Sequence, residues 1–439
     1  MKTIRIGSGA GFSGDRIEPA VLLAEKGALQ YLVLECLAER TIALAQKRKQ
    51  QDPSMGYDVL LEKRCRPLLP LLVANNVCLI SNMGAANPLA AAKRLQAMSK
   101  ELGLKLTIAA VTGDDVLNYV QQHAKNLEAI ETGRRIDVYS PIAANAYLGA
   151  EALLPALASG ANIIITGRVA DPSLFLAPMI HEFGWQLNDW QRLGQGTVIG
   201  HLLECAGQLT GGYFANTNTK QVPNLAQLGF PLAAVQEDGA AMITKVENTG
   251  GLINSATAKE QLLYEVTNPA AYLTPDVSAD FTSVQIQSAP PDRIHITGSS
   301  GKERPGKLKV SVGYSAFYLG EAEISYGGSD CLERAQLAAA IIRERIGAQY
   351  KDLQTDFIGV NSLYPSKQTH APAEIRLRIA ARAANMEQAM LVGEEVEALY
   401  TNGPAAGAGV RKSATEQIGI VSCLVPRDII QLNTQYFKS

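Results

Sequence analysis

Thr3-Ile-Arg-Ile-Gly-Ser-Gly-Ala-Gly-Phe-Ser-Gly14-Asp15 opens on a β-branched run and breaks into glycines, as a buried strand ending in a loop does. Further strand-like runs stand at 31–35, 77–81, 106–111 and 162–166, which with 3–6 makes five. Stretches of helical period separate them, around 20–26, 38–49, 58–74, 89–102 and 147–159. Strands alternating with helices build a parallel sheet covered by helices, so the fold class is α/β, with an N-terminal mostly parallel sheet flanked by helices. Right-handed crossovers then bring the carboxyl end of every strand to one edge, where ligands bind in such sheets.

Beyond residue 185 the texture changes. The segment from Trp185 to Phe214 is rich in Gly and Gln, and a helical piece at 198–208 is expected to lie over the first domain. From about Asp280 the runs 281–288, 293–297, 308–315 and 322–326 alternate in Thr, Val, Ile and Tyr. A helix at 332–346, strands at 357–360 and 374–380, a helix at 386–400 and a Gly-rich loop at 401–409 follow. That mixture predicts a smaller C-terminal α+β domain with an antiparallel sheet, dividing the chain into 1–275 and 276–439.

The chain has 439 residues, about three times a common domain. It is 47% hydrophobic and 19% charged, with 40 Lys and Arg against 42 Asp and Glu. That balance excludes a basic, sequence-independent grip on nucleic acid and an extended disordered chain. The most apolar stretch, 68–92, is broken by Pro70, Asn75, Asn76, Asn82, Asn87 and Pro88, so it lacks the roughly 20 apolar residues of a membrane span. Met-Lys-Thr-Ile-Arg-Ile at the start carries no secretory pattern, and a cytoplasmic location is expected. Six cysteines without a C-x-x-C pair read as reduced thiols, and five histidines show no metal-ligand spacing, so no metal is assigned. A chain of this kind is expected to form a homo-oligomer.

The first loop contains Gly9-x-Gly11-x-x-Gly14 after a strand, with Glu35 ending the next strand 21 residues beyond Gly14. By spacing this meets the dinucleotide fingerprint, which makes a nicotinamide-dependent oxidoreductase one reading. Asp15 opposes it by placing a negative charge where a pyrophosphate would sit, and Pro19 moves the helix start to about Glu18. The glycines then mark a turn requiring positive φ, or a backbone-lined loop for another anionic group.

Three other strand ends carry polar punctuation: Ser81-Asn82-Met-Gly-Ala-Ala-Asn87-Pro88, Thr112-Gly-Asp114-Asp115 and Thr166-Gly-Arg168-Val-Ala-Asp171-Pro172. Their convergence in the crevice makes Asn82, Asp114, Arg168 and Asp171 candidate substrate-binding residues. Asn87 and Asp171 each precede a proline, which favours helix capping over ligand contact. Arg168 caps nothing and suits bidentate binding of a carboxylate or phosphate, in which case Arg168→Ala abolishes binding with little change in melting temperature. Its other reading is a salt bridge to Asp114, Asp115 or Asp171. Glu35 and Glu39 follow the second strand, with Arg40 beside them, and paired carboxylates can serve as general base and acid. His201 and Glu204 share a helix face at i,i+3 spacing and can shuttle a proton. Cys36 and Cys205 adjoin acidic residues, which disfavours their thiolates. The loop Tyr400-Thr-Asn-Gly-Pro-Ala-Ala-Gly-Ala-Gly409-Val-Arg411-Lys412 does not match a P-loop.

The segments Gly9-Ala-Gly-Phe-Ser-Gly-Asp15-Arg16, Leu37-Ala-Glu39-Arg40-Thr41, Asn82-Met-Gly-Ala-Ala-Asn87-Pro88, Thr166-Gly-Arg168-Val-Ala-Asp171, Gly200-His201-Leu-Leu-Glu204-Cys, Tyr272-Leu-Thr-Pro-Asp276-Val and Tyr400-Thr-Asn-Gly-Pro404 resemble the acyclic terpene utilization AtuA family. Ala206, Ala406 and Ala408 stand where the family pattern has glycine. The resemblance implies a place in terpenoid, acyl-CoA or organic-acid breakdown and carries over no catalytic residue set and no cofactor.

These readings combine into an enzyme acting on a small-molecule carboxylate or acyl-CoA substrate by hydratase, dehydratase or lyase chemistry. Asp15, Glu39 and His201 are the catalytic candidates. Gly9, Gly11, Gly14, Arg40, Asn82, Asp114, Arg168 and Asp171 are the substrate-binding ones. The alternatives are the oxidoreductase and a non-catalytic acyl-binding subunit, which would work with a small partner subunit.

Overall fold

The computed structural model describes residues 2–364 and 372–439. The strands Thr3–Ala10, Tyr31–Leu34, Cys78–Ser81, Ile163–Thr166 and Thr107–Thr112 lie side by side in that order, all parallel. These are the five strands read from the sequence. Tyr31–Leu34 and Ile163–Thr166 are buried along their whole length, as strands covered on both faces must be. Alternation sorts their side chains into two cores. Leu32, Leu34, Ile163 and Ile165 join residues of the helices Glu18–Lys26, Leu61–Ala74 and Pro88–Glu101. Val33 and Ile164 join residues of Asp171–Phe183 and Trp190–Glu204.

Antiparallel strands extend both edges of this parallel centre. Pro231–Gln236, Ala241–Lys245, Ile294–Thr297 and Gln285–Ser288 continue outward from Thr3–Ala10, and Asn433–Lys438 pairs with Thr107–Thr112, giving ten strands. The strands expected at 281–288 and 293–297 therefore complete the first sheet and belong to no separate one. Alternation identifies a strand but says nothing of its neighbour. The helix expected at 147–159 is a 3-10 turn, Ala150–Leu153, followed by the short helix Leu154–Ala158. Its entry is held by Asp276 Oδ1, which accepts from Ala150 N at 2.8 Å.

The chain groups into two compact units, Met1–Gly313 with Ile420–Ser439, and Tyr314–Gly419. The expected division between 275 and 276 lies within the residues of the first unit. In the second unit the order is strand, helix, strand, strand, helix, strand. Leu353–Ile358, Glu374–Ala383, Lys307–Gly327 and Ala408–Pro426 lie in that order across the sheet, and the helices Cys331–Ile346 and Met386–Asn402 share one core with it. This is the ferredoxin-like β-α-β-β-α-β arrangement, an α+β unit. Lys307–Gly327 is a single strand where the sequence suggested two. All six cysteines are unpaired. Among the described residues no helix is long and apolar enough to cross a membrane.

Candidate active site

The loop after Thr3–Ala10 is closed by its own carboxylate. Asp15 Oδ2 accepts from Gly11 N and Oδ1 from Arg16 N, both at 3.0 Å. Burial pushes the Asp15 pKa up, against the pull of those two amides. The fully buried Arg64 clamps the loop from the helix Leu61–Ala74, donating to the carbonyls of Ser13 and Asp15 at 2.8 Å each. Gly9, Gly11 and Gly14 all have φ outside the left-handed region, so the turn reading fails. Two of these glycines are close-packing residues. A Cβ on Gly9 would lie 2.6 Å from Leu34 Cδ2, and one on Gly11 would lie 2.6 Å from the Cys205 carbonyl carbon. The loop does not fit a dinucleotide phosphate, because Asp15 already occupies the Gly11 amide and the next helix opens with Glu18 and Pro19.

After Tyr31–Leu34, Glu35 is buried, and its Oε1 accepts from Leu37 N at 2.8 Å and Asn82 Nδ2 at 2.9 Å. Burial, with Asp171 nearby, holds its carboxyl well above the usual range. Asn82 also accepts from Cys36 N at 2.8 Å, so it positions Glu35 from below and its side chain is fully engaged. Glu39 opens the helix Glu39–Gln51. Burial would raise its pKa, but the Tyr147 hydroxyl it accepts from and the Arg168 charge pull it down to about 2. Arg40 is exposed and lines neither cavity described below.

Arg168 follows Ile163–Thr166 and is 1% exposed. Its guanidinium donates to the Leu37 carbonyl and to Asp171 and lies 4.3 Å over the Tyr147 ring, so the salt-bridge reading is the one the contacts match. Its backbone N donates to Asp114 Oδ2 at 2.8 Å. Asp114 also accepts from Asn145 at 2.9 Å, and burial pushes it up to about 6. Asp114 thus orients Arg168 from outside the cavity. Asp171 is the first residue of Asp171–Phe183 and makes no side-chain cap, whereas Asn87 does cap Pro88–Glu101 by accepting from Ala90 N at 3.2 Å.

The helix Trp190–Glu204 carries the remaining pair. His201 Nδ1 lies 2.8 Å from Glu204 Oε1, and Nε2 is 3.3 Å from the Leu262 carbonyl. The His201 ring is buried against Tyr272 and Phe281, at 5.1 and 5.4 Å. Burial lowers its pKa, but the Glu204 carboxylate outweighs this and leaves it raised. Burial drives Glu204 up to about 7, against the pull of His201. Glu204 Oε2 is buried and without a hydrogen-bond partner among the described residues.

A cavity of about 710 Å³ brings these groups together. Gly11, Asp15, Glu35, Glu39, Arg168, Asp171 and Glu204 line it, while Gly9, Gly14, Asn82, Asp114 and His201 do not. A second cavity of about 740 Å³ shares Glu39, Asp171 and Glu265 with the first and is walled by Tyr272, Leu273, Pro275, Leu308 and Leu424. Glu265 and Tyr147 are not among the sequence candidates because each stands alone, without a partner at helical or strand spacing, and Tyr272 enters only through the family-like segment 272–277. The Cys205 thiol in the first cavity is pushed up by burial and by Glu204, which removes it as a nucleophile. Among the described residues no group of three or more His, Cys, Asp or Glu is placed to hold a metal ion.

The model of the acyclic terpene utilisation family protein AtuA matches residues 4–436. The chain belongs to this family. No curated protein matches it. The family match spans both compact units, so the cavity and the ferredoxin-like unit fall within one family architecture.

Proposed function

We propose that this family member is an acid/base enzyme of acyl-group breakdown, catalysing hydration, dehydration or carbon-carbon cleavage on a small organic acid or its CoA thioester. The supporting observation is Glu204, which lines the cavity, carries one buried oxygen without a hydrogen-bond partner among the described residues, and is pushed up to about 7. Such a group can donate and accept a proton at neutral pH. His201 positions it from behind and stabilises its ionised form. Glu39, held ionised by Tyr147 and Arg168, is a fixed charge and a poor base, while Asp15, with its raised pKa, is the second proton carrier.

The cavity's charge favours the thioester over the free acid. Glu39, Asp171 and Glu265 line the space, and Arg168 is already engaged by Asp171. A neutral thioester carbonyl avoids the repulsion that a carboxylate would meet there, and the apolar walls of the second cavity suit an alkyl chain. The proposal keeps the homo-oligomer and the cytoplasmic location.

The test is incubation with a panel of 2-enoyl and 3-hydroxyacyl-CoA thioesters in ¹⁸O-water, followed by mass spectrometry. Label incorporation or chain cleavage by the native protein, lost in Glu204→Gln, supports the reading. Saturable thioester binding with no turnover would replace it with the acyl-binding subunit, and reduction of a nicotinamide would replace it with the oxidoreductase.

A further inference from the structure

A third concavity, of about 960 Å³, shares no lining residue with the two just described. It is basic where the first cavity is acidic. Arg5 from the strand Thr3–Ala10, Lys26 from the end of Glu18–Lys26, Lys245 from the end of Ala241–Lys245 and Arg293 just before Ile294–Thr297 all line it. They face two carboxylates, Glu247 and Asp292. Asp292 is spent internally, 3.0 Å from the Lys245 ammonium and accepting from Ile253 N at 3.0 Å. Among the described residues Glu247 reaches only Arg293, at 4.0 Å, and its side chain is almost wholly exposed.

Arg5 and Lys26 have no ion-pair partner among the described residues. Arg5 is half-buried, and among the described residues its side chain donates only from Nε to the Gly27 carbonyl at 2.9 Å, which leaves both terminal nitrogens for a ligand. A partly desolvated guanidinium without a counter-ion is costly unless an anion joins it. Leu22, Met242 and Val246 add an apolar wall beside the cations.

We propose that this basic concavity binds a polyphosphate-bearing small molecule of the nucleotide class, at a site separate from the acid/base cavity. Lys245 is spent on Asp292 and the Thr249 carbonyl, but Arg5, Lys26 and Arg293 come from three separate segments and suit several phosphate oxygens better than one carboxylate, and a guanidinium engages phosphate through two parallel donors. The apolar wall takes the uncharged part of the ligand. The binding does not depend on the proposed reaction.

Calorimetric titration of the full-length protein with inorganic phosphate, pyrophosphate and ATP tests this. ATP and pyrophosphate should bind saturably, ATP more tightly than phosphate, and raised salt should weaken both. The double variant Lys26→Ala/Arg293→Ala changes two exposed side chains and should keep the native melting temperature while weakening ATP about tenfold or more. Arg5→Gln should weaken it further, and Glu204→Gln should leave it unchanged. No saturable binding of any probe, or equal ATP affinity in the double variant, overturns the proposal.

Discussion

The imidazole of His201 and the carboxylate of Glu204 meet at 2.8 Å on one turn of a buried helix, and only Glu204 reaches the cavity. The histidine therefore acts through the glutamate. If Glu204 moves the proton, Glu204→Gln should lower turnover by about 10²–10⁴-fold. The native pH-rate profile should bend near 7, and the bend should move to higher pH in His201→Gln, which removes the partner that pulls the Glu204 pKa down. A profile in His201→Gln that keeps its midpoint would leave His201 a packing residue only.

Buried carboxylates also set how stability depends on pH. Glu204 is raised from 4.5 to about 7 and Asp114 from 3.8 to about 6, so the folded state binds more protons than the unfolded one between those values. Their stabilising effect is complete below the unfolded values and is lost as pH rises through about 6 and 7. Glu39 has the opposite sign: lowered to about 2, it stabilises above 4.5, and that effect disappears as pH falls toward about 2. The melting temperature should therefore be higher at pH 5.5 than at pH 8, by a free-energy difference on the order of 2 kcal/mol. Thermal scans across that range that rise toward pH 8 would contradict it.

Arg168 joins Leu37, Asp171 and the Tyr147 ring while fully buried. Removing it leaves the partly buried Asp171 carboxylate and the Leu37 carbonyl without their partner and empties a fully buried side-chain site beside the Tyr147 ring. Arg168→Ala should cost about 3–5 kcal/mol, as breaking a buried pair does. That reverses the sequence-based expectation of an unchanged melting temperature, and chemical denaturation decides between them.

Much of the fold is written in periodicity, because a strand buried on both faces must be apolar throughout and a covering helix must repeat at 3.6. The five parallel strands and the helices Glu18–Lys26 to Pro88–Glu101 were legible for that reason. The antiparallel extension through Pro231–Gln236 was not, since pairing depends on residues more than 200 positions apart. In the site, strand-end position pointed to Asp15, Glu39, Arg168 and Asp171, and the four line one cavity. It could not tell a lining residue from one a layer below. Asn82 and Asp114 sit at the same kind of strand end, yet they spend their polar atoms on Glu35 and Arg168.

Ala206 and Ala406 adopt φ of 42° and 62°, the left-handed region, where a Cβ is strained. Ala406 is exposed, so Ala406→Gly removes strain and no packing, and should stabilise by about 0.5–1 kcal/mol after the entropy cost of glycine. Ala206 is fully buried in the core beside Phe230, so Ala206→Gly also loses a packed methyl and should be close to neutral. Paired denaturation curves read the difference, and a destabilised Ala406→Gly would count against strain at that turn.

Gly11 and Gly14 belong to the same loop and differ in what surrounds them. A Cβ on Gly11 would lie within 2.6–2.8 Å of the Cys205 carbonyl carbon, Cα and oxygen, backbone atoms at the end of the helix that carries Glu204, so neither side can give way. The nearest atoms to a Cβ on Gly14 belong to the Phe12 ring, whose side chain is largely exposed and free to swing aside. Gly11→Ala should cost about 1–3 kcal/mol, the range for overpacking a rigid contact. It should also lower turnover, by shifting the Gly11 amide from Asp15 and the loop from Glu204. Gly14→Ala should stay within about 0.5 kcal/mol of the native protein, as surface substitutions do. Because neither glycine has a left-handed φ, backbone strain cannot explain a contrast between them, so equal losses in the two variants would show that the loop's approach to Cys205 is not what holds the site together.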